Sequence, residues 1–414
     1  MAHIIYFNHD GSEGSVFDSQ VVAPLKKIKE RYVNPITLLS FDRPSLFFNV
    51  KKRRALKIKL NAAGLDIVLL PRFPYVFNSF LSLYAVPLLF FFKRRQTPQS
   101  FIFHCRGALS ARIAIAVKRL CRWIHVEKII YDCRGDGVAE TELYWKKPRW
   151  IKTIRLNQLK KLETFVLSQV DHVIAVSEAL KDHLRRTYSV ACEVTVVPSA
   201  VDLGGWTFNT SERQKRRQSF GIDDRLVVVY SGSFLPWQVP DKMLEVFSCF
   251  RQYEPRSIFL VLTKDVEIAI SHLNRSGLDR EFFKVINVDY DKLPHSLCCA
   301  DVGLLIRETN GVNRVASPTK FSEYVGCGVP VLLTRSIGDT ESYVKQINGG
   351  WVLDSLESPT ALEGCVLDIL RDIRTGFINH ESIAANAHDF FSLETTINQR
   401  ASIYGDSTMR KKTP

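Results

Sequence analysis

Apolar positions in this chain fall into two recurring patterns. Short unbroken apolar runs, the mark of strands buried on both faces, alternate with longer stretches whose apolar residues recur every three or four positions, the mark of helices lying on a sheet. In the first half the runs predict strands over residues 3–8, 35–40, 66–70, 100–104, 128–132, 172–176 and 194–197, with helices over 18–31, 51–63, 109–122, 151–169 and 178–188 between them. Strict alternation of strand and helix implies a parallel sheet covered on both faces. Over 198–224 the pattern breaks: Gly204-Gly205 is followed by the charged run Arg213-Gln214-Lys215-Arg216-Arg217. A second alternating series then predicts strands over 226–231, 257–263, 283–288, 302–306 and 329–334, and one closing helix over 380–404. The fold class expected is α/β, with two Rossmann-like parallel-sheet domains facing across a cleft. The divisions fall at 1–203, 204–378 and 379–414, the last a helix and basic tail able to pack back on the first domain.

Polar chemistry gathers where strands give way to helices. Its most explicit stretch is Ser317-Pro318-Thr319-Lys320-Phe321-Ser322-Glu323-Tyr324. Ser317 reads as an N-cap and Pro318 as the first helical residue, whose missing amide hydrogen the helix could not have used. The amides of Thr319 and Lys320, the hydroxyls of Ser317 and Thr319, the positive helix end and the Lys320 ammonium together predict a phosphate seat. Glu323, three residues on, projects from about the same face and suits a pair of sugar hydroxyls. Gly328 then stops the helix and Pro330 prevents its resumption. The stretch reads as a nucleoside-diphosphate site.

Other strand ends add to it. Ser231-Gly232 closes one strand of the second series, and glycine there lets backbone amides approach a phosphate. Lys264 ends the next strand and Arg307 precedes the loop before Ser317, so Lys264, Arg307 and Lys320 can surround one diphosphate. In the first half, His104-Cys105-Arg106-Gly107 and Asp132-Cys133-Arg134-Gly135 follow two strands. Arg106 and Arg134 offer bidentate contacts to phosphate or carboxylate. His104 fits either a substrate hydroxyl or a buried position bonded to a neighbouring loop. The loop Asn8-His9-Asp10-Gly11-Ser12-Glu13-Gly14 lacks G-x-G-x-x-G, which disfavours a dinucleotide site.

Composition narrows the partners. Fifty-six basic against forty-three acidic residues leave a net charge of +13, which favours an anionic partner, yet no nucleic-acid module accompanies the basic runs. Nine cysteines without a C-x-x-C pair, and no H-E-x-x-H or P-loop, predict no metal site and no resident cofactor. The strand-like run over 3–7, without a signal-peptide plan, leads us to expect the cytoplasm. Residues 73–92 carry no charge and end in Lys93-Arg94-Arg95, but Pro74 and Pro87 interrupt them. They read as a core helix or, next, as an apolar, basic-edged patch resting on an anionic bilayer at the inner membrane face.

Ser231-Gly232 before Trp237, Ala300-Asp301-Val302-Gly303-Leu304 and the run from Ser317 to Val331 resemble the donor half of the retaining GT-B glycosyltransferases of family 4. Asp171 to Glu178 and Val197 to Asp202 are similar to mid-chain features of that family. The resemblance implies an acceptor-binding first domain and a donor-binding second domain. It implies transfer of a sugar from a nucleotide-diphosphate sugar to a glycan or lipid-linked acceptor with retention, in the hexosyltransferase class and without metal, for surface polysaccharide or glycolipid synthesis. Lys320 and Arg307 would hold the diphosphate, Glu323 the ribose, with Ser231, Gly232, Lys264, Ser317 and Thr319 around them. His104, Arg106 and Arg134 are the catalytic candidates. Two departures stand out: Val315 occupies the place of the usual first glutamate, and Gln238-Val239-Pro240 replaces a glycine-lysine pair. A nucleotide-sugar epimerase of the same fold and a non-catalytic nucleotide-sugar-binding protein remain the alternatives.

Overall fold

In a computed structural model the chain forms two compact units, one of Met1–Pro198 with Thr396–Pro414 and one of Ser199–Thr395. The structure describes residues 2–72, 84, 87–88, 91–92, 100–202, 207–235, 238–405, 409 and 411.

The first unit holds a seven-stranded parallel sheet: β1 (His3–Asn8), β2 (Ile36–Asp42), β3 (Asp66–Pro71), β4 (Ser100–Arg106), β5 (His125–Cys133), β6 (His172–Ala175) and β7 (Glu193–Val196). Their order is β3-β2-β1-β4-β5-β6-β7. Every residue of β1 and β2 is buried, as their unbroken apolar runs require, and each large apolar side chain so placed contributes about 1.5–3 kcal/mol. The chain builds outward from β1 to β3 and then crosses to the other side of β1, so direction reverses between β1 and β4. In such sheets a crevice opens at that point beyond the carboxyl ends of the strands. Asn8 pairs with Arg106 there, and Arg106 with Asp132.

The second unit repeats the plan with six parallel strands, β8 (Val227–Ser231), β9 (Ile258–Leu262), β10 (Phe283–Ile286), β11 (Val302–Leu305), β12 (Val331–Thr334) and β13 (Gly350–Leu353). The order β10-β9-β8-β11-β12-β13 puts its reversal between β8 and β11. Apolar clusters lie on both faces of this sheet, one around Phe321, Tyr324 and Phe391, the other around Phe247, Phe250 and Phe259.

Four sequence expectations need correction. β4 and β5 run on to Arg106 and Cys133, so His104 lies inside a strand, where pairing on both sides buries it, and not in a loop after it. β13 was not expected, because Gly349-Gly350 reads as a turn and the strand is a short, half-buried edge. The closing helix is two, His380–Phe391 and Leu393–Tyr404, broken at Ser392, which is extended (φ −69°, ψ 142°) and whose hydroxyl accepts from the Thr395 amide at 3.0 Å. The first of these packs on the Thr319–Gly326 helix through Phe391 and Phe321, whose ring centroids are 5.6 Å apart. Only residues from Thr396 onward rejoin the first unit, so the segment 379–414 is divided between the two units and not set apart.

Much of the apolar stretch 73–92 lies outside the described residues. Of it, Tyr84, Leu88 and Phe92 are buried, Tyr84 edge-on to Phe41 at 5.1 Å and Phe92 against Phe101 and Phe103. Among the described residues no helix is long and apolar enough to cross a membrane.

Candidate functional site

In the second unit, candidate residues collect at the carboxyl ends of β8 and β11. The Thr319–Gly326 helix is bolted to β8 by Tyr324, whose hydroxyl accepts from the Ser231 amide at 2.8 Å. The helix starts at Thr319, with Pro318 extended (φ −68°, ψ 121°) at the cap position. Ser317 therefore does not cap it. Its hydroxyl accepts from the Ser199 amide at 3.0 Å, while Ser322 donates to the Ser199 carbonyl at 2.7 Å, so both serines fix the chain where it enters this unit. The helix ends as expected, with Gly328 at φ +71°, where a Cβ would lie 2.4 Å from the His380 carbonyl oxygen.

Lys320 lies across the end of β8. Its Nζ donates to the Tyr230 hydroxyl and to Gln238 Oε1, each at 2.8 Å, and stands 4.5 Å from the Tyr230 ring centroid. Gly232 makes the space: it has φ +137°, and a Cβ there would come within 2.3 Å of Lys320 Cε. Burial of the Lys320 amine and the nearby Arg307 charge lower its pKa to about 7, against the opposing pull of Glu323. Glu323 is 7% exposed, and burial raises its pKa to about 7 despite Lys320. A lysine and a carboxylate brought near neutrality on one helix turn mark a site prepared for polar groups from outside the protein.

Arg307 is half-buried. Its amide donates to Thr334 Oγ1 at 2.9 Å, and that hydroxyl donates back to the Arg307 carbonyl at 2.8 Å, fixing the loop that follows. The loop contains a helical turn, Gly311–Arg314, capped by Asn310. Val315 is buried after it, and the Glu308 side chain is exposed. Thr319 is half-buried at the first helical position, whereas Lys264 is exposed after β9, with no hydrogen bond or ion pair to Lys320 or Glu323 among the described residues. Sequence reasoning missed Tyr230 and Gln238 as partners of Lys320. No local pattern in the sequence signals them; the structure marks the place by Val239, a β-branched residue in a left-handed conformation (φ 49°), strained backbone of the kind found at binding sites.

In the first unit the candidates gather at the ends of β4 and β5. Arg106 is 5% exposed; its Nε donates to Asp10 at 2.8 Å and its Nη2 to Gln20 at 2.9 Å. The same Gln20 oxygen accepts from Arg134 at 3.4 Å. Arg134 lies 3.6 Å from Asp132, and burial lowers its pKa to about 10, leaving it charged at neutral pH. His104 is fully buried, stacked on Tyr6 with centroids 4.5 Å apart. Its Nε2 is 3.3 Å from Asp132 and its Nδ1 2.9 Å from the Tyr404 hydroxyl. Burial lowers the His104 pKa, so the neutral ring donates from Nε2 to Asp132 and accepts at Nδ1 from Tyr404. Of the two readings of His104, this is the buried histidine: it ties β4 to β5 and to the returning helix. Burial alone would raise the Asp132 pKa, but Arg134, the His104 hydrogen bond and Arg400 hold it well below the usual range. Among the described residues no cluster of histidine, cysteine and carboxylate side chains could hold a metal ion.

The family model for Glycosyltransferase Family 4 matches residues 11–204. YtcC of Bacillus subtilis, whose name assigns it provisionally to the glycosyltransferases, is 26% identical over 213 residues, covering 47% of this chain and 50% of YtcC, so the matched region spans about half that relative's length. Solved structures share the fold across almost the whole chain. HepE of Anabaena, in complex with UDP and glucose, gives a TM-score of 0.69 at 16% identity over 98% of this chain and 99% of that one. Sucrose-phosphate synthase of Thermosynechococcus elongatus gives 0.71 at 14% identity, covering 98% and 99%. WaaG, a glycosyltransferase of lipopolysaccharide biosynthesis, gives 0.63 at 13% identity, covering 97% and 99%. The chain thus has the GT-B fold, and residues 11–204 of its first half are similar to the Glycosyltransferase Family 4 model.

Proposed function

We propose that this protein is a retaining glycosyltransferase that moves a sugar, a hexose by class, from a nucleotide-diphosphate donor to a glycan or lipid-linked acceptor. The observation that carries the proposal is Lys320, held over Gly232 by Tyr230 and Gln238 at a helix N-terminus, with Glu323 one turn along. An incoming diphosphate restores the charge on Lys320 and accepts from the helix amides, while Glu323 takes the ribose hydroxyls. As the anomeric bond breaks, negative charge grows on the leaving diphosphate, and Lys320 with Arg307 stabilises it where it forms. These groups supply the charge neutralisation that a divalent metal provides elsewhere, so turnover proceeds in EDTA. HepE, which shares the fold, is solved with UDP and with UDP-glucose, which supports a nucleotide-sugar donor here. WaaG acts in lipopolysaccharide biosynthesis, which supports a role in surface polysaccharide or glycolipid synthesis, in the cytoplasm with peripheral contact at the inner membrane face.

The test is calorimetric titration with UDP, GDP and ADP, with and without magnesium, beside Lys320→Ala. One diphosphate binds, metal makes no difference, and the substitution weakens binding about 10- to 100-fold, the worth of a charge-assisted hydrogen bond. Binding of none of the three overturns the proposal. Burial of Val315, which puts no carboxylate where the family has its first glutamate, favours one second reading, a nucleotide-sugar-binding protein without turnover. Donor hydrolysis or transfer rules it out, and release of free epimerised donor would identify an epimerase instead.

A further inference from the structure

We propose that Arg106, Arg134 and Arg400 form an oxyanion seat in the first unit, for a phosphate or carboxylate carried by the acceptor. What carries the anion rests on the glycosyltransferase reading; the seat itself does not. Arg400 stands on the Leu393–Tyr404 helix one turn before Tyr404, so both project from the same face. The Tyr404 hydroxyl reaches His104 on β4, and this carries Arg400 to the ends of β4 and β5. Its charge is felt there by Asp132, His104, Arg134 and Tyr6.

Arg400 is 6% exposed and, among the described residues, makes no hydrogen bond or ion pair; its Nη1 is buried without a partner. Arg106 repeats the pattern on a smaller scale: Asp10 and Gln20 hold its Nε and Nη2, while its Nη1 is also buried and unpartnered. Arg106 pairs with Asp10 and Arg134 with Asp132, and Asp132, which also feels the charge of Arg400, is already engaged by His104 as well. Glu140, near Asp10, is drawn toward its neutral form by burial and by the charges of Asp10 and Asp136. A buried guanidinium that makes no ion pair of its own is costly, and a helix that needed only packing at position 400 would be better served by leucine or methionine. Guanidinium forks match the planar geometry of phosphate and carboxylate oxygens, and that complementarity names the ligand class.

The full chain, saturated with UDP so that the donor seat is filled, is titrated with inorganic pyrophosphate and, in a separate arm, with glucuronate. At least one binds, and the arm that does so tells phosphate from carboxylate. Arg400→Met and Arg106→Met each weaken it about tenfold or more, and Arg400→Lys, which keeps the charge but loses the fork, falls between. Lys128→Met removes the contact between β5 and the Ile403 carbonyl of the same helix while leaving Tyr404, His104 and every guanidinium of the seat in place; it lowers the melting temperature and leaves oxyanion affinity within about twofold. Failure of both oxyanions to bind, or an Arg400→Met effect no larger than that of Lys128→Met, overturns the seat. UDP binding sensitive to Lys320 with no oxyanion binding removes this inference and leaves the transferase reading standing. Oxyanion binding sensitive to Arg400 with no nucleotide binding does the reverse.

Discussion

Lys320 and Glu323 are pushed toward neutrality from opposite sides by the same cause. Burial lowers the lysine from its ordinary value near 10.5 to about 7 and raises the glutamate from 4.5 to about 7. A diphosphate stabilises charged Lys320 and so raises its pKa on binding. The free protein is mostly charged at Lys320 below pH 7 and mostly neutral above it, which means that binding above pH 7 must draw in a proton. UDP affinity is therefore expected to fall by up to about tenfold per unit between pH 7 and 9, with net proton uptake visible as a dependence of binding heat on buffer ionisation. Lys320→Ala removes this limb. Uridine, which meets Glu323 but brings no phosphate, does not show it. A flat UDP profile over this range would mean that the amine stays charged when the site is empty, through an interaction with Tyr230 and Gln238 stronger than its burial.

At the scale of elements, the site depends on one close approach between strand end and helix start. Gly232→Ala places a Cβ within reach of Lys320 Cε and does so at φ +137°, so either the backbone or the lysine must move. UDP affinity is expected to drop at least about tenfold, as in Lys320→Ala, and the melting temperature to fall as well, because a side chain at this φ strains the backbone by about 1–3 kcal/mol. An unchanged affinity would show that Lys320 reaches the diphosphate by another path. The helix and its lysine were legible in the sequence because lysine, glutamate and glycine carry a local meaning at fixed spacing, although Ser317, read as the cap, instead accepts from the Ser199 amide and Pro318 takes the cap position. The partners of Lys320 were not: Tyr230 and Gln238 are 90 and 82 positions away, and no local pattern brings them together. The strands of both sheets were legible from their unbroken apolar runs, and β13 was hidden because glycine, a half-buried edge and a length of four residues leave no run to see. His104 shows the same limit. A polar residue inside an apolar run reads as the end of a strand, until pairing with β1 on one side and β5 on the other shows the strand continuing past it.

At the scale of the whole molecule, the order of the chain makes the first unit depend on its last residues. The chain leaves that unit after Pro198 and returns at Thr396, so the sheet β3-β2-β1-β4-β5-β6-β7 is completed by a helix made last. The returning segment supplies the Tyr404 hydroxyl to His104, the Ile403 carbonyl to Lys128 and the Asn398 oxygen to Arg31. Removing residues 396–414 leaves the buried acceptor of His104 without a donor, at about 1–3 kcal/mol, and exposes the apolar surface that Ile397, Ala401 and Ile403 now cover. Those losses are a large share of the 5–15 kcal/mol that holds a typical domain together. The second unit loses nothing comparable, since its two apolar clusters lie within Ser199–Thr395. Limited proteolysis of the truncated chain is therefore expected to digest residues 1–198 quickly and leave a resistant fragment near 199–395, whereas the full chain resists in both parts. That fragment keeps UDP affinity within about tenfold if the Lys320–Glu323 turn supplies most of the donor contacts. Equal resistance of residues 1–198 in both chains would show that the sheet holds without its returning helix, and the role of the His104–Tyr404 contact would then shrink to placing Arg400.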